Sequence, residues 1–237
     1  PEVVRKLDGG VVLFDLLAAD RLDIQELYAK MAEFAKELMA APAGIVDLRG
    51  LGQASYWVYS MLEEVQGALV SVPARAPTQR YLLHSGFRPH DGGSSGGYYS
   101  GFLTLAADAF APPPGASGTP KRVVFLAGPD DSIPAIALAL QAAGTGSLVV
   151  EGKLGEEAVL QTLVQDLGEG IQARVRVSEL VPLPGWAGFH LDAEVPEGQS
   201  EAALAAALAE ARRAPVAVAS AAPVAPLPDA VFRSDRA

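Results

Sequence analysis

The 237-residue chain contains no cysteine. That excludes a disulfide framework, a thiolate nucleophile and any cysteine metal site. No stretch approaches the roughly 18 uninterrupted apolar residues that a membrane span needs, and residues 1–8 carry no signal-peptide pattern. Basic residues are few: Lys and Arg number 18 against 28 Asp and Glu, a formal charge of −10, and no basic run is longer than Arg212-Arg213. Nucleic-acid binding rests on neutralising phosphates with such residues, so no nucleic-acid partner is expected. An acidic surface serves solubility first, and cationic peptides are the partner class it leaves open. No cofactor and no metal is expected.

What the chain does have is apolar mass. Half of its residues are hydrophobic and 19% are charged, a balance typical of a folded globule rather than a disordered chain. The pattern predicts one α/β domain over residues 1–213 and an Ala/Pro/Val-rich tail or edge strand over 214–237. Val11 to Leu17 is a β-forming apolar run, Ile24 to Met39 has helical spacing, and Ala43 to Leu48 reads as a second buried strand. Together they predict a β-α-β unit with parallel strands. A helix is expected from about Tyr56 to Val65. The unit recurs as a strand over Arg122 to Ala127, a helix over Ile133 to Ala143 and a strand over Ser147 to Val150. Further on, Ala158 to Leu167 reads as a helix, Gln172 to Val177 as a strand and Glu201 to Arg213 as a helix. The fold class is therefore α/β, with a mostly parallel sheet built from repeated β-α-β units.

Residues 73–101 differ, with three prolines and the cluster Gly92-Gly93-Ser94-Ser95-Gly96-Gly97. They read as an extended loop or loose hairpin, and the interleaved His84, His90, Tyr98 and Tyr99 suit a binding lip.

Ligands of open parallel sheets bind outside the carboxyl ends of the strands. Two junctions there stand out. The strand Ile45 to Leu48 runs into Arg49-Gly50-Leu51-Gly52-Gln53, whose glycines let backbone N–H groups turn outward as an oxyanion hole requires. The strand ending at Ala127 runs through Gly128-Pro129-Asp130-Asp131 to Ser132 at the expected start of a helix. A serine there serves either as a helix cap or as a nucleophile facing the first junction, with the Ile133 amide beside it.

The ordered segments GIVDLRGLG, RVVFLAGPDDSIPAIALALQAAG, SLVVEGKLGEE and VPEGQSEAALAAALAEAR resemble the core of the tail-specific (C-terminal processing) serine peptidases, over about residues 10–213. The resemblance implies a crotonase/ClpP-like peptidase core that binds peptide or protein C-terminal segments. It implies Ser132 as nucleophile, Gly50 and Gly52 as oxyanion turn, and a lysine base after the next strand, for which Lys153 is the nearest candidate. Members of that family are commonly exported and often carry a PDZ-like segment, none of which precedes the first strand in this sequence.

The chain departs from the family pattern at the centre. Ser132 is followed by Ile133, Pro134 and Ala135 instead of a Ser-x-x-Glu segment, and the lysine register is occupied by Gly155-Glu156-Glu157. Glu151, Glu156 and Glu157 surround Lys153 and favour its charged form, whereas a general base must be neutral. Two readings stay open: a serine peptidase, and a catalytically inactive relative that binds a peptide or ligand or serves in assembly.

Overall fold

The apolar runs VVLF, AGIV, VVFLA and SLVV lie in strands covered on both faces, which is why they read as nearly continuous hydrophobic sequence rather than as an alternation. The structure, a computed structural model, describes residues 2–52, 62, 64–84, 100–105, 107–114, 119–160, 162–181, 183, 185–186 and 188–216. Along these residues the strands are β1 (Val4–Lys6), β2 (Val12–Asp15), β3 (Ala43–Asp47), β4 (Ala74–Arg75), β5 (Thr78–His84), β6 (Ser100–Thr104), β7 (Ala109–Phe110), β8 (Arg122–Ala127), β9 (Gly146–Glu151), β10 (Thr162–Gly168), β11 (Ile171–Arg176), β12 (Ser178–Val181) and β13 (Ala193–Val195).

The central sheet has six strands in the order β1-β2-β3-β8-β9-β13. From β2 to β13 every neighbouring pair is parallel, and only β1 runs antiparallel at the edge. Alternate side chains divide between two cores. Val12, Phe14, Val46, Phe125 and Val150 face one side, with Leu27, Met31, Phe34 and Leu38 of the Ile24–Ala40 helix and the Ala135–Ala142 helix. Leu13, Ile45, Val124, Leu126 and Val149 face the other, where Ala203, Ala207 and Ala211 of the Ser200–Ala211 helix cover them. Alanines one turn apart let that helix lie close to the sheet, and they explain its Ala-rich sequence. The protein is thus a mixed α/β fold with a mostly parallel sheet between two helical layers.

Smaller antiparallel sheets decorate this core: β12-β5-β6, β4-β7 and the hairpin β10-β11. The segment expected as a loop or loose hairpin over 73–101 supplies β5 and β6, paired from His84↔Ser100 to Arg80↔Thr104. Residues 85–99 between them, and most of the helix expected over 56–65, lie outside the described residues.

Three local expectations are corrected. Residues 162–167, expected as the end of a helix, lie in β10, paired antiparallel with β11 across a turn in which Gly168, Glu169 and Gly170 all have positive φ. The helix expected from Ile133 begins at Ala135, because Pro134 is extended (φ −67°, ψ 151°) and a residue before proline is kept out of the helical region. The strand expected through Leu17 stops at Asp15, whose carboxylate accepts from the Ala18 amide and starts a short Leu16–Ala19 helix. Residues 214–216, the first of the expected tail, lie along the body: Arg122 Nη2 donates to the Ala214 carbonyl (3.0 Å) and the Val216 amide to Gly144 (3.1 Å). Among the described residues no helix is long and apolar enough to cross a membrane.

Candidate functional site

Parallel strands deliver their carboxyl ends to one edge of the sheet, and here those ends are acidic. β2 finishes at Asp15, β3 at Asp47 and β9 at Glu151, while the β8 end leads into Gly128-Pro129 and the β13 end into Glu197-Gly198. These residues, with Leu17, Arg49, Gly50 and Ser200, line a cavity of about 520 Å³.

Arg49 organises its floor. Nε and Nη2 donate to the two oxygens of Asp47 (2.9 and 2.7 Å), and Nη1 donates to Glu151 Oε2 (2.7 Å) and the Ser200 carbonyl (3.1 Å). The fork of the guanidinium suits this bidentate grip. Burial works against the charged guanidinium, yet the hydrogen bonds and charges of Asp47 and Glu151 raise its pKa overall. Ser200 Oγ adds a hydrogen bond to Glu151 Oε1 (2.9 Å). Burial pushes the Glu151 carboxyl up, but Arg49 and Ser200 outweigh it and hold it below the usual carboxylate range. Among the described residues no group of three His, Asp or Glu side chains is arranged to hold a metal ion.

The second junction is closed by Asp131, which is 2% exposed. Its Oδ1 accepts from the Gly52 amide (2.8 Å) and its Oδ2 from the Gly128 amide (2.7 Å). Burial raises the Asp131 carboxyl, and these amides oppose that rise. Gly50 and Gly52 have φ of +79° and +59°, the left-handed region that glycine enters without strain.

The bond from the Gly52 amide to Asp131 brings the residue before Ser132 against the Gly50–Gly52 turn. The remaining candidates are placed as follows. Ser132 is half-buried in the irregular stretch before the helix, and the cap position belongs to Pro134. The Ile133 amide donates to the Ala158 carbonyl (2.7 Å) and is directed at the loop behind it. Lys153 is exposed in the loop after β9, while Glu151 turns to Arg49 and Ser200. His90, Tyr98 and Tyr99 lie outside the described residues.

Sequence reasoning passed over Asp131, Glu151, Asp15, Glu197 and Ser200, and took Arg49 only as part of a motif. One signal was available: an acid directly ending an apolar run, as at Asp15, Asp47 and Glu151, sits at the carboxyl edge of a parallel sheet.

No family model and no curated protein matches the chain. Solved structures do match it, among them a lipoprotein from Streptococcus agalactiae at 10% identity and a TM-score of 0.37, covering 87% of this chain and 69% of that one. At that TM-score the likeness bears neither on the finer fold nor on function.

Proposed function

We propose that this chain is a divergent relative of the tail-specific serine peptidases, on a crotonase/ClpP-like core, that binds a peptide or small ligand by a cationic group and does not hydrolyse it. One observation carries the reading. Amides that would stabilise an acyl oxyanion are already spent: Gly52 on Asp131, and Ile133 on Ala158. Loss of a single oxyanion donor costs about 10² to 10³ in turnover. What the cavity does offer is acceptors. Its cation, Arg49, is committed to Asp47 and Glu151, so the carboxylates of Asp15 and Glu197 set the sign of the ligand it suits. The parallel order β2-β3-β8-β9-β13 supports the family reading of the core.

A fluorophosphonate serine probe should label the wild type and Ser132→Ala equally, and casein should remain uncut by either. An amidated lysine-containing peptide should bind more tightly than an acidic peptide of equal length. Glu197→Gln, at an exposed position, should weaken that binding about two- to fivefold, the scale of a solvated ion pair. Casein cleavage that disappears in both Ser132→Ala and Lys153→Ala would establish a Ser/Lys peptidase instead, and tighter binding of the acidic peptide would remove the cationic-ligand reading.

A further inference from the structure

We infer that the amides of Gly52 and Gly128 form an anion hole that the chain fills with its own Asp131 carboxylate, an internal ligand that keeps small carboxylates from the wall of the cavity. The hole is built from two crossovers. Gly50 and Gly52 belong to the turn after β3, Gly128 to the turn after β8, and these strands are neighbours in the sheet. The Asp131–Gly52 bond therefore joins positions 79 residues apart.

The geometry is that of ligand recognition. Both carboxylate oxygens are engaged, at 2.8 and 2.7 Å, the range of charge-assisted N–H···O⁻ bonds. Glycines with positive φ turn backbone amides into a concave nest, the arrangement by which proteins bind anions without a side-chain cation. Space is reserved for the guest as well: a Cβ at Gly128 would stand 3.1 Å from Asp131 Oδ2. Among charged neighbours, the carboxylate of Asp47 lies close enough to act on Asp131 and is itself gripped by Arg49. Asp131 is sealed from water, while Gly50 and Gly128 also line the cavity, so the filled hole forms part of its wall. A ligand ending in a carboxylate thus finds its natural docking amides taken. This assignment rests on the same Asp131 contacts as the proposed function, but formate rescue reads those contacts alone, whereas the serine probe and the lysine peptide read hydrolysis and the sign of the ligand, so the two can fail separately.

The test is chemical rescue. Asp131→Ala and Asp131→Ser, the wild type, and Leu38→Ala as a core variant remote from the hole are melted at neutral pH in sodium formate and in sodium chloride of equal ionic strength. Formate at about ten times its dissociation constant should raise the midpoints of both Asp131 variants by about 3 to 5 °C over chloride. It should leave the wild type and Leu38→Ala where they are. In ¹H–¹⁵N spectra of Asp131→Ser, the Gly52 and Gly128 amide resonances should move saturably with formate. Equal midpoints in the two salts for both Asp131 variants, a formate shift shared by Leu38→Ala, or Asp131 variants that stay unfolded in formate would each overturn the assignment.

Discussion

Arg49→Met is expected to lower stability by about 3 to 5 kcal/mol at neutral pH, the cost of leaving buried charges without their partner. Arg49 holds Asp47 by two hydrogen bonds and Glu151 by a third, and the side chains of those acids are only 7% and 10% exposed. Methionine keeps the aliphatic volume but removes the charge and every donor. The loss should also depend on pH. In the wild type Glu151 is held below its usual pKa, so its contribution is present above the unfolded pKa and is lost as pH falls through the folded one. Without Arg49, only the Ser200 and Gly198 hydrogen bonds oppose the burial of Glu151, so the variant lacks most of this contribution. The wild type gains it as pH rises and the variant does not, so the gap between the two proteins widens from about pH 4 to pH 7. Urea midpoints at both pH values measure it. A loss below about 1 kcal/mol at pH 7, in the range of an exposed pair, or a gap that ignores pH, would contradict the buried-pair account.

Phe34→Ala should cost about as much, roughly 3 to 5 kcal/mol, for a different reason. Phe34 is fully buried and stacks on Phe14 of β2, ring centroids 4.7 Å apart and planes 12° from parallel. Removing the ring opens a cavity between the Ile24–Ala40 helix and the strand that ends at Asp15, beneath the cavity's rim. Tyr28 provides the comparison. It lies on the same helix but is 54% exposed, so Tyr28→Ala should stay within about 0.5 kcal/mol of the wild type. Paired urea titrations with unchanged slopes are sufficient. Equal losses from the two variants would mean that the helix presents a different face to the sheet.

The four inner strands of the central sheet, β2, β3, β8 and β9, were legible because their signal is local. A strand buried on both faces must be apolar at nearly every position, and Val12 to Phe14, Ala43 to Val46, Val123 to Ala127 and Leu148 to Val150 all obey that requirement. The Ile24–Ala40 helix was legible for the same reason, and its Asp23 cap accepts from the Gln25 and Glu26 amides. β10 was misread because Val159, Leu163 and Leu167 also fit a helical period. Short apolar segments satisfy both periods, and pairing with β11 decides between them. The better clue was Gly168-Glu169-Gly170, a turn sequence between two runs of strand-like composition.

By itself the sequence determined the alternation of strands and helices, the parallel sheet that follows from it, and the carboxyl-edge location of the two glycine-bearing turns. These follow from hydrophobic period and backbone preference, which act over a few neighbouring residues. Only the tertiary structure decided that Asp131 accepts from the Gly52 amide and that Arg49 joins Asp47 to Glu151, 102 residues away. Those contacts depend on β8 lying between β3 and β9, an order set by packing the whole sheet between its helices, and no local pattern encodes which carboxylate will meet which donor.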